Sequence, residues 1–267
     1  MPQEAREAEL ARARASYAAR DADARGGWEW SPLNPAAVAV RQQRELAFLR
    51  LFGARGIADP AALRVADFGC GGGQFLRWLE ELGAEESRLF GVDLSEPRIA
   101  LARERQPRAT LVTGSADSTG LPDASCDLVA QLTLLSSVHD SALRSAIAAE
   151  MDRVLAPGGH VLWFDVRPPT VSVRAFILLR RLGWWLLRGV WRRAPFPRDD
   201  GALVYLGRAE VADLFPGYRV DGGPACVSRE VVRVRGRGTA LLAALADLLP
   251  PLRADLALLL TKPGGER

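Results

Sequence analysis

The chain has little cysteine and less histidine: Cys70, Cys126 and Cys226, with His139 and His160, in 267 residues. Thiols so far apart, and odd in number, build neither a disulfide framework nor a zinc cluster, and they point to a reducing, cytoplasmic setting. Long apolar runs are missing too. No stretch reaches the roughly 18 consecutive apolar residues that a spanning helix requires. The opening MPQEAREAELARARASYAAR alternates acids, arginines and alanines without the apolar centre of a secretory signal, and reads as a solvated amphipathic helix. Nor is one sign of charge in excess. The 35 basic and 32 acidic residues leave a formal charge of +3, which gives no case for a nucleic-acid partner.

What is present is a rhythm. Apolar residues recur at helical spacing through residues 4 to 19 and again through Val38, Leu46, Leu49 and Leu51, on either side of the aromatic WEWSPLNP. From residue 63, short β-rich runs alternate with helical stretches: LRVADF then a helix over 74–83, RLFGVD then 96–105, ATLVTG, CDLVAQL then 141–155, and HVLWFDV. Such alternation predicts a parallel sheet with helices on both faces. Pro157 and the glycines of LAPGGH stop the long helix and turn the chain into the fifth strand. Beyond Val166 the alternation breaks, and RAEVADLF with strands near 218–221 and 256–261 completes the domain. The expectation is an α/β, Rossmann-like, doubly wound and mostly parallel seven-stranded sheet, in a chain long enough for one large domain. Its parts are an N-terminal helical cap over 1–62, a core over 63–166, a helical insertion over 167–208 after the fifth strand, and a C-terminal completion over 209–267.

VADFGCGGGQFL, residues 65 to 76, sets four glycines and Cys70 between two apolar runs. Glycines that end a strand and open a helix bring backbone N–H groups close to a ligand, because no Cβ intervenes. A dinucleotide loop of the form G-x-G-x-x-G needs a final glycine. Counted from Gly69 that place is Gln74, and from Gly71 it is Leu76. What fits is acid-x-Gly-x-Gly-x-Gly, through Asp67, Gly69, Gly71 and Gly73. A carboxylate at the entrance suits a ligand with an ammonium group better than an anion. Asp93 ends the second strand twenty residues beyond Gly73, where a carboxylate accepts both hydroxyls of a ribose. The alternative use of the two acids is as helix caps.

These stretches in order resemble a class I S-adenosylmethionine-dependent methyltransferase: VADFGCGGG its first motif, LFGVDLS the strand with the ribose acid, TGSADSTGLPDASCDLV the third and fourth strand region, and RVLAPGGHVLWFDV the approach to the fifth strand. The resemblance implies S-adenosyl-L-methionine as cofactor. It places the methionine portion on Asp67 and the backbone of Gly69, Cys70, Gly71 and Gly73, and the ribose on Asp93 beside Leu94. Ser115 and Ala116 would meet the adenine edge, with Gln131 and Leu132 at the end of the fourth strand also in the site. The family commonly has an acid where this chain has Ser115, so the adenine amino contact passes to Asp117 or is lost. The phrases QLTLLSSVHD and LRADLALLLTKP resemble a bacterial branch of small-molecule methyltransferases of uncharacterised substrate.

Methyl transfer from a sulfonium needs alignment and exclusion of water more than a base. Where the acceptor is a hydroxyl a base helps, and His139, just after the fourth strand, is the candidate; its other reading is a helix-start residue beside Asp140 or Ser141. Asp165 and Arg167 at the end of the fifth strand either contact substrate or pair with each other. Tyr17, Trp28 and Trp30 either close over the cofactor or pack between helices. RAFILLRRLGWWLLRGVWRR puts Arg174, Arg181, Arg188 and Arg192 near one helical face. That helix is a lid over an apolar acceptor, an in-plane membrane contact through 174–193, or a surface helix. The fourth strand ends QLTLL, without the Asn/Asp-Pro-Pro-aromatic signature of enzymes that methylate base amines. The expected activity is methylation of oxygen, nitrogen or carbon in a small, partly apolar molecule, with no metal. A lipid or isoprenoid-like acceptor at a membrane surface, and a non-catalytic cofactor-binding protein, are the alternatives.

Overall fold

The computed structural model describes residues 2–22, 33–167, 203–225 and 255–264. Trp28, Trp30, Cys226 and residues 168–202 of the insertion lie outside them, and with them the reading of 174–193 as a lid or membrane contact. Two strands buried end to end set the plan: β1 (Val65–Phe68) and β2 (Leu89–Asp93). Near-continuous apolar strands of this kind need cover on both faces, as in parallel α/β sheets. With β3 (Thr110–Thr113), β4 (Cys126–Leu132), β5 (Leu155–Val166), β6 (Arg219–Pro224) and β7 (Asp255–Thr261) they form a seven-stranded sheet of order β3-β2-β1-β4-β5-β7-β6. Pairing is parallel from β3 to β5, and β7 runs antiparallel to both of its neighbours. The mostly parallel, Rossmann-like architecture is thus the one expected.

Helices cover the two faces with separate cores. On one face α5 (Ser141–Val154) and α6 (Arg208–Leu214) pack Leu143, Ile147, Met151 and Val211 against Phe68, Val129 and Trp163, and Leu10 of α1 (Gln3–Ala22) joins them. On the other, α2 (Pro35–Ala54), α3 (Gln74–Glu81) and α4 (Glu96–Arg105) bring Phe48, Phe52, Phe75, Leu79 and Ile99 against Leu128, Leu162 and Phe164. Among the described residues no helix is long and apolar enough to cross a membrane.

The helix expected over 141–155 ends at Val154, and β5 starts at Leu155, earlier than the expected His160. Leu155 pairs with Cys126 and His160 with Leu128, with a register shift between them, so the Pro157-Gly158-Gly159 turn lies within the strand's span as an irregularity. The signal at LAPGGH was a stop for the helix but not the point where pairing begins.

Gly91, inside β2, shows how tightly the layer under the glycine loop is filled. A Cβ there would lie 2.8 Å from both Cys70 Sγ and Leu111 Cδ2. Gly91→Ala is therefore expected to destabilise the protein by about 1–3 kcal/mol through overpacking. In denaturant titrations the loss should shrink when Cys70→Ala is added, since one of the two clashing atoms is then removed; equal losses in both backgrounds would contradict this packing.

Candidate functional site

The strand order reverses between β1 and β4, and ligands of open α/β sheets bind outside the carboxyl ends of the strands at such a point. The glycine loop leaves β1 there. Gly69, Gly71 and Gly73 have φ of 77°, 54° and 76°, a left-handed backbone that glycine tolerates without strain. The loop is folded back on β2: the N–H groups of Gly69 and Cys70 donate to Val92 O at 2.7 and 3.0 Å. Gly71 N–H donates to Asp93 Oδ2 at 2.9 Å, while Asp93 Oδ1 accepts from Ser95 N–H at 2.8 Å. The Asp93 carboxylate therefore pins the loop and the residue leading into α4, whose N-cap is Ser95 and which no side chain caps. Two ionised oxygens offer about four acceptor sites, so capacity for ribose hydroxyls remains.

Asp67 stands differently. It is 2 % exposed, and its Oδ1 has no hydrogen-bond partner among the described residues. Burial, and then the Asp93 charge, push its carboxyl up to about 8, against a smaller pull from the Arg44 guanidinium. Cys70, next to it in space, has its thiol pushed up by burial and by the same two acids, so it is a packing residue and no nucleophile. An acidic floor of this kind repels a pyrophosphate, whereas an ammonium group supplies the missing partner. An amino-acid nucleoside therefore fits the donors and acceptors present.

Beyond the loop lies a narrow cleft lined by Gly69, Asp93, Leu94, Ser115, Ala116 and, from α5, Leu143 and Ile147. Its cover is α1, which contributes Glu9, Leu10, Ala13 and Tyr17. Polar contacts at the rim hold that helix down. Arg6 donates from Nε and Nη2 to the Asp117 carboxylate at 2.6 and 2.8 Å, and Ser115 Oγ donates to the same group. Burial alone would raise the Asp117 carboxyl, but Arg6 and Ser115 outweigh it and keep it low. Arg12 holds the Glu9 carboxyl down at about 2, and Glu9 in turn accepts from His139 N–H at 2.6 Å. Near the end of α1, Arg98 pairs with Asp21 and stacks 4.7 Å from the Tyr17 ring centroid. Tyr17 thus closes the cleft and packs as well.

The structure brings together Asp67, Gly69, Cys70, Gly71, Gly73, Asp93, Leu94, Ser115, Ala116 and Asp117 at one edge. Asp117 is there as the partner of Arg6, so the expected transfer of the adenine contact to it has a competitor. Gln131 is fully buried; its Oε1 accepts from Leu134 and Leu135 N–H, which shapes the loop after β4, and its Nε2 has no hydrogen-bond partner among the described residues. Leu132 packs at the edge of the second core. Asp165 is 0 % exposed and accepts from Ser136 N–H through Oδ2 and from Val166 N–H through Oδ1. Arg167, partly buried, has its pKa lowered by burial. His139 is exposed, and the cleft wall beside it is Val138. Asp140 caps α5 by accepting from Leu143 N–H at 2.7 Å, as the helix-start reading of this stretch has it.

Sequence reasoning missed Gln106. It is 1 % exposed and, with its amide turned to satisfy both ends, donates to Gly73 O at 3.1 Å and accepts from Arg77 N–H at 3.0 Å. It thereby caps α3 and holds the glycine loop from a distance in sequence that no local signal spans.

The fold and site define a doubly wound protein whose unpartnered acid and glycine loop at the end of β1 suit a cationic nucleoside. Residues 66–163 match the family described as the methyltransferase domain. An uncharacterized methyltransferase of Synechocystis is 33% identical over 114 residues, covering 43% of this chain and 52% of that protein. A fatty-acid O-methyltransferase of Mycolicibacterium smegmatis is 33% identical over 113 residues, 42% of this chain and 40% of its own. The crystal structure of magnesium protoporphyrin IX methyltransferase from Synechocystis, with bound SAH, superposes with a TM-score of 0.56 at 15% identity, over 89% of this chain and 93% of that one. The chain spans about half the length, or less, of the curated relatives it matches. Over residues 66–163 the chain is therefore similar to methyltransferase domains, and it shares the fold of a solved methyltransferase with bound SAH.

Asp67 makes the ligand-free protein sensitive to pH. Its carboxyl stays protonated to about 8 when folded, against an ordinary value of 3.8 when unfolded. Between those values the native state holds a proton that the unfolded chain has released, so rising pH removes stability. Relative to Asp67→Asn, the wild type should lose stability from pH 4 to 8 in thermal scans. Cofactor binding near pH 7 should release up to about one proton, read from calorimetry in buffers of different ionisation enthalpy, because an ammonium partner ionises the carboxyl. A binding enthalpy independent of buffer would contradict it.

Proposed function

We propose that the chain transfers a methyl group from S-adenosylmethionine to oxygen, nitrogen or carbon of a small, partly apolar acceptor. The observation that carries this is the buried Asp67 oxygen without a partner, beside a glycine loop that Asp93 fastens. When bound, the cofactor supplies a methyl group already activated by its sulfonium charge. The residues around it then need to hold, orient and keep dry. Asp67 orients the amino-acid end and Asp93 the ribose. Leu10, Ala13, Leu134, Val138, Leu143 and Ile147 line the cleft with apolar surface and exclude water, which sharpens every electrostatic contact within. No base is required of this geometry for an acceptor that is already nucleophilic. For a hydroxyl acceptor His139 is the candidate, and it would have to act from the exposed rim.

The relatives match about two fifths of this chain, and their names span a demethylmenaquinone methyltransferase and a fatty-acid O-methyltransferase. A lipid-like acceptor is the second reading, favoured by the similarity to a fatty-acid O-methyltransferase.

Calorimetry with S-adenosylmethionine, followed by transfer of labelled methyl to a panel of hydroxyl, amine and fatty-acid acceptors, tests both readings. Asp93→Ala should weaken cofactor binding about 10–100-fold, the loss of charged hydrogen bonds of about 1.5–3 kcal/mol. Tight binding with no turnover on any acceptor would favour a non-catalytic binding protein. His139→Ala should slow transfer to hydroxyl acceptors without changing cofactor affinity; equal turnover would return the residue to a structural role.

A further inference from the structure

Resting on the cofactor reading above, we propose that Gln106, at the end of α4 and outside the cleft lining, is a positioning residue: it sets affinity for the amino-acid end of the cofactor by fixing the turn where the glycine loop becomes α3. Helix N-caps are usually extended residues whose side-chain oxygen accepts an N–H of the first turn. Here the N-cap is Gly73, left-handed at φ 76° and ψ 18°, and no side chain caps the helix. The local sequence therefore supplies no lock for this turn.

Gln106 supplies one from a distance. The first backbone hydrogen bond of α3 runs from Arg77 N–H to Gly73 O at 3.0 Å. Gln106 spans both of its ends: Nε2 donates to Gly73 O at 3.1 Å, and Oε1 accepts from Arg77 N–H at 3.0 Å. The opposite amide orientation would set oxygen against oxygen and N–H against N–H, so only this one is chemically consistent. At 1 % exposure the amide is shielded from water that would compete for these bonds. Packing against the loop is equally close. A Cβ on Gly73 would lie 2.5 Å from the Gln106 side-chain amide and 3.3 Å from Ala102 Cβ, and one on Gly72 would lie 3.6 Å from Leu101 Cδ2. The last turn of α4 is thus laid along the back of the loop, and Gln106 is tied to it through its own N–H, which donates to Ala102 O at 2.9 Å.

The loop is fastened at two points, Gly71 to Asp93 and Gly73 to Gln106, with Gly72 between them. Glycines at φ 54° and 76° have wide freedom once unfastened, and a ligand must then meet the cost of ordering them. Asp93 keeps its place without the second point, because it ends a buried strand and also accepts from Ser95 N–H. A ribose on Asp93 is therefore insulated from Gln106. The amino-acid end, lying on the loop backbone beside Asp67, is not.

The test is calorimetry on wild type, Gln106→Met and Gln106→Glu with two probes: S-adenosylhomocysteine, and 5′-methylthioadenosine, which keeps adenine and ribose but lacks the amino-acid end. Methionine keeps the length of the side chain and loses both hydrogen bonds; glutamate keeps the volume and sets an oxygen where Nε2 donates. Both variants should bind S-adenosylhomocysteine about 10-fold more weakly, and 5′-methylthioadenosine within about twofold of wild type, as expected for losing about one or two neutral hydrogen bonds behind the loop. In hydrogen exchange on the free proteins, amides of residues 71–77 should exchange faster in both variants while those of β1 and β2 keep their protection, a pattern that global destabilisation does not give. Unchanged affinity for S-adenosylhomocysteine in either variant, equal weakening toward both probes, or loss of protection across the sheet overturns the role of Gln106 and leaves the cofactor reading standing. A wild type that binds neither probe overturns the cofactor reading itself.

Discussion

Burying a carboxylate without a partner is the constraint around which this molecule is arranged. Asp67 lies on β1, an interior strand buried along its whole length, and an ionised acid there costs several kcal/mol unless something compensates. In the free protein a retained proton does so. The backbone that could have satisfied the acid is directed elsewhere: the glycine-loop amides go to Val92 and Asp93, and Gln106 fills the start of α3. The loop's geometry is thus stabilised without using Asp67, which leaves that oxygen for a ligand. Recognition of a positively charged amino-acid nucleoside follows from this division of hydrogen bonds, more than from the glycines alone.

The second feature is how the site is covered. Helix α1 lays Leu10 and Ala13 over the cleft, and its charged residues meet the rim at Asp117, Ser137, His139 and Arg98. Such part-exposed ion pairs are individually weak and screened by salt, while the apolar strip between them shields the cleft from water. A cover held in this way can dock firmly and still release. Both α1 and α2 precede the matched family segment. Part of the cover over the cleft is therefore supplied from outside that segment.

Where reading along the chain succeeded, a local or periodic pattern was at work. Strand-helix alternation located the sheet, and β2, α4 and β4 fell within a residue of expectation, because apolar period and capping are short-range properties. The acids Asp67 and Asp93 were legible for the same reason, each ending a strand at a set distance from the glycines. Ser115 and Asp117 were placed at the right edge but with the wrong neighbour in view. The partner of Asp117 is Arg6, 111 residues earlier, a pairing no pattern within one segment encodes. Asp165 was legible as a strand-end acid, but its Oδ2 also accepts from Ser136 N–H in the 3-10 turn after β4, a contact across 29 residues that no local pattern encodes.

By itself, then, the sequence determined the order of elements, the parallel core and the two acids beside a bare loop, since these depend on periodicity and on the stereochemistry of single residues. Only the tertiary structure decided which acid stays unsatisfied and which helix covers the cleft. Those outcomes depend on burial and on distances between residues far apart in the chain, and both quantities exist only once the layers have packed.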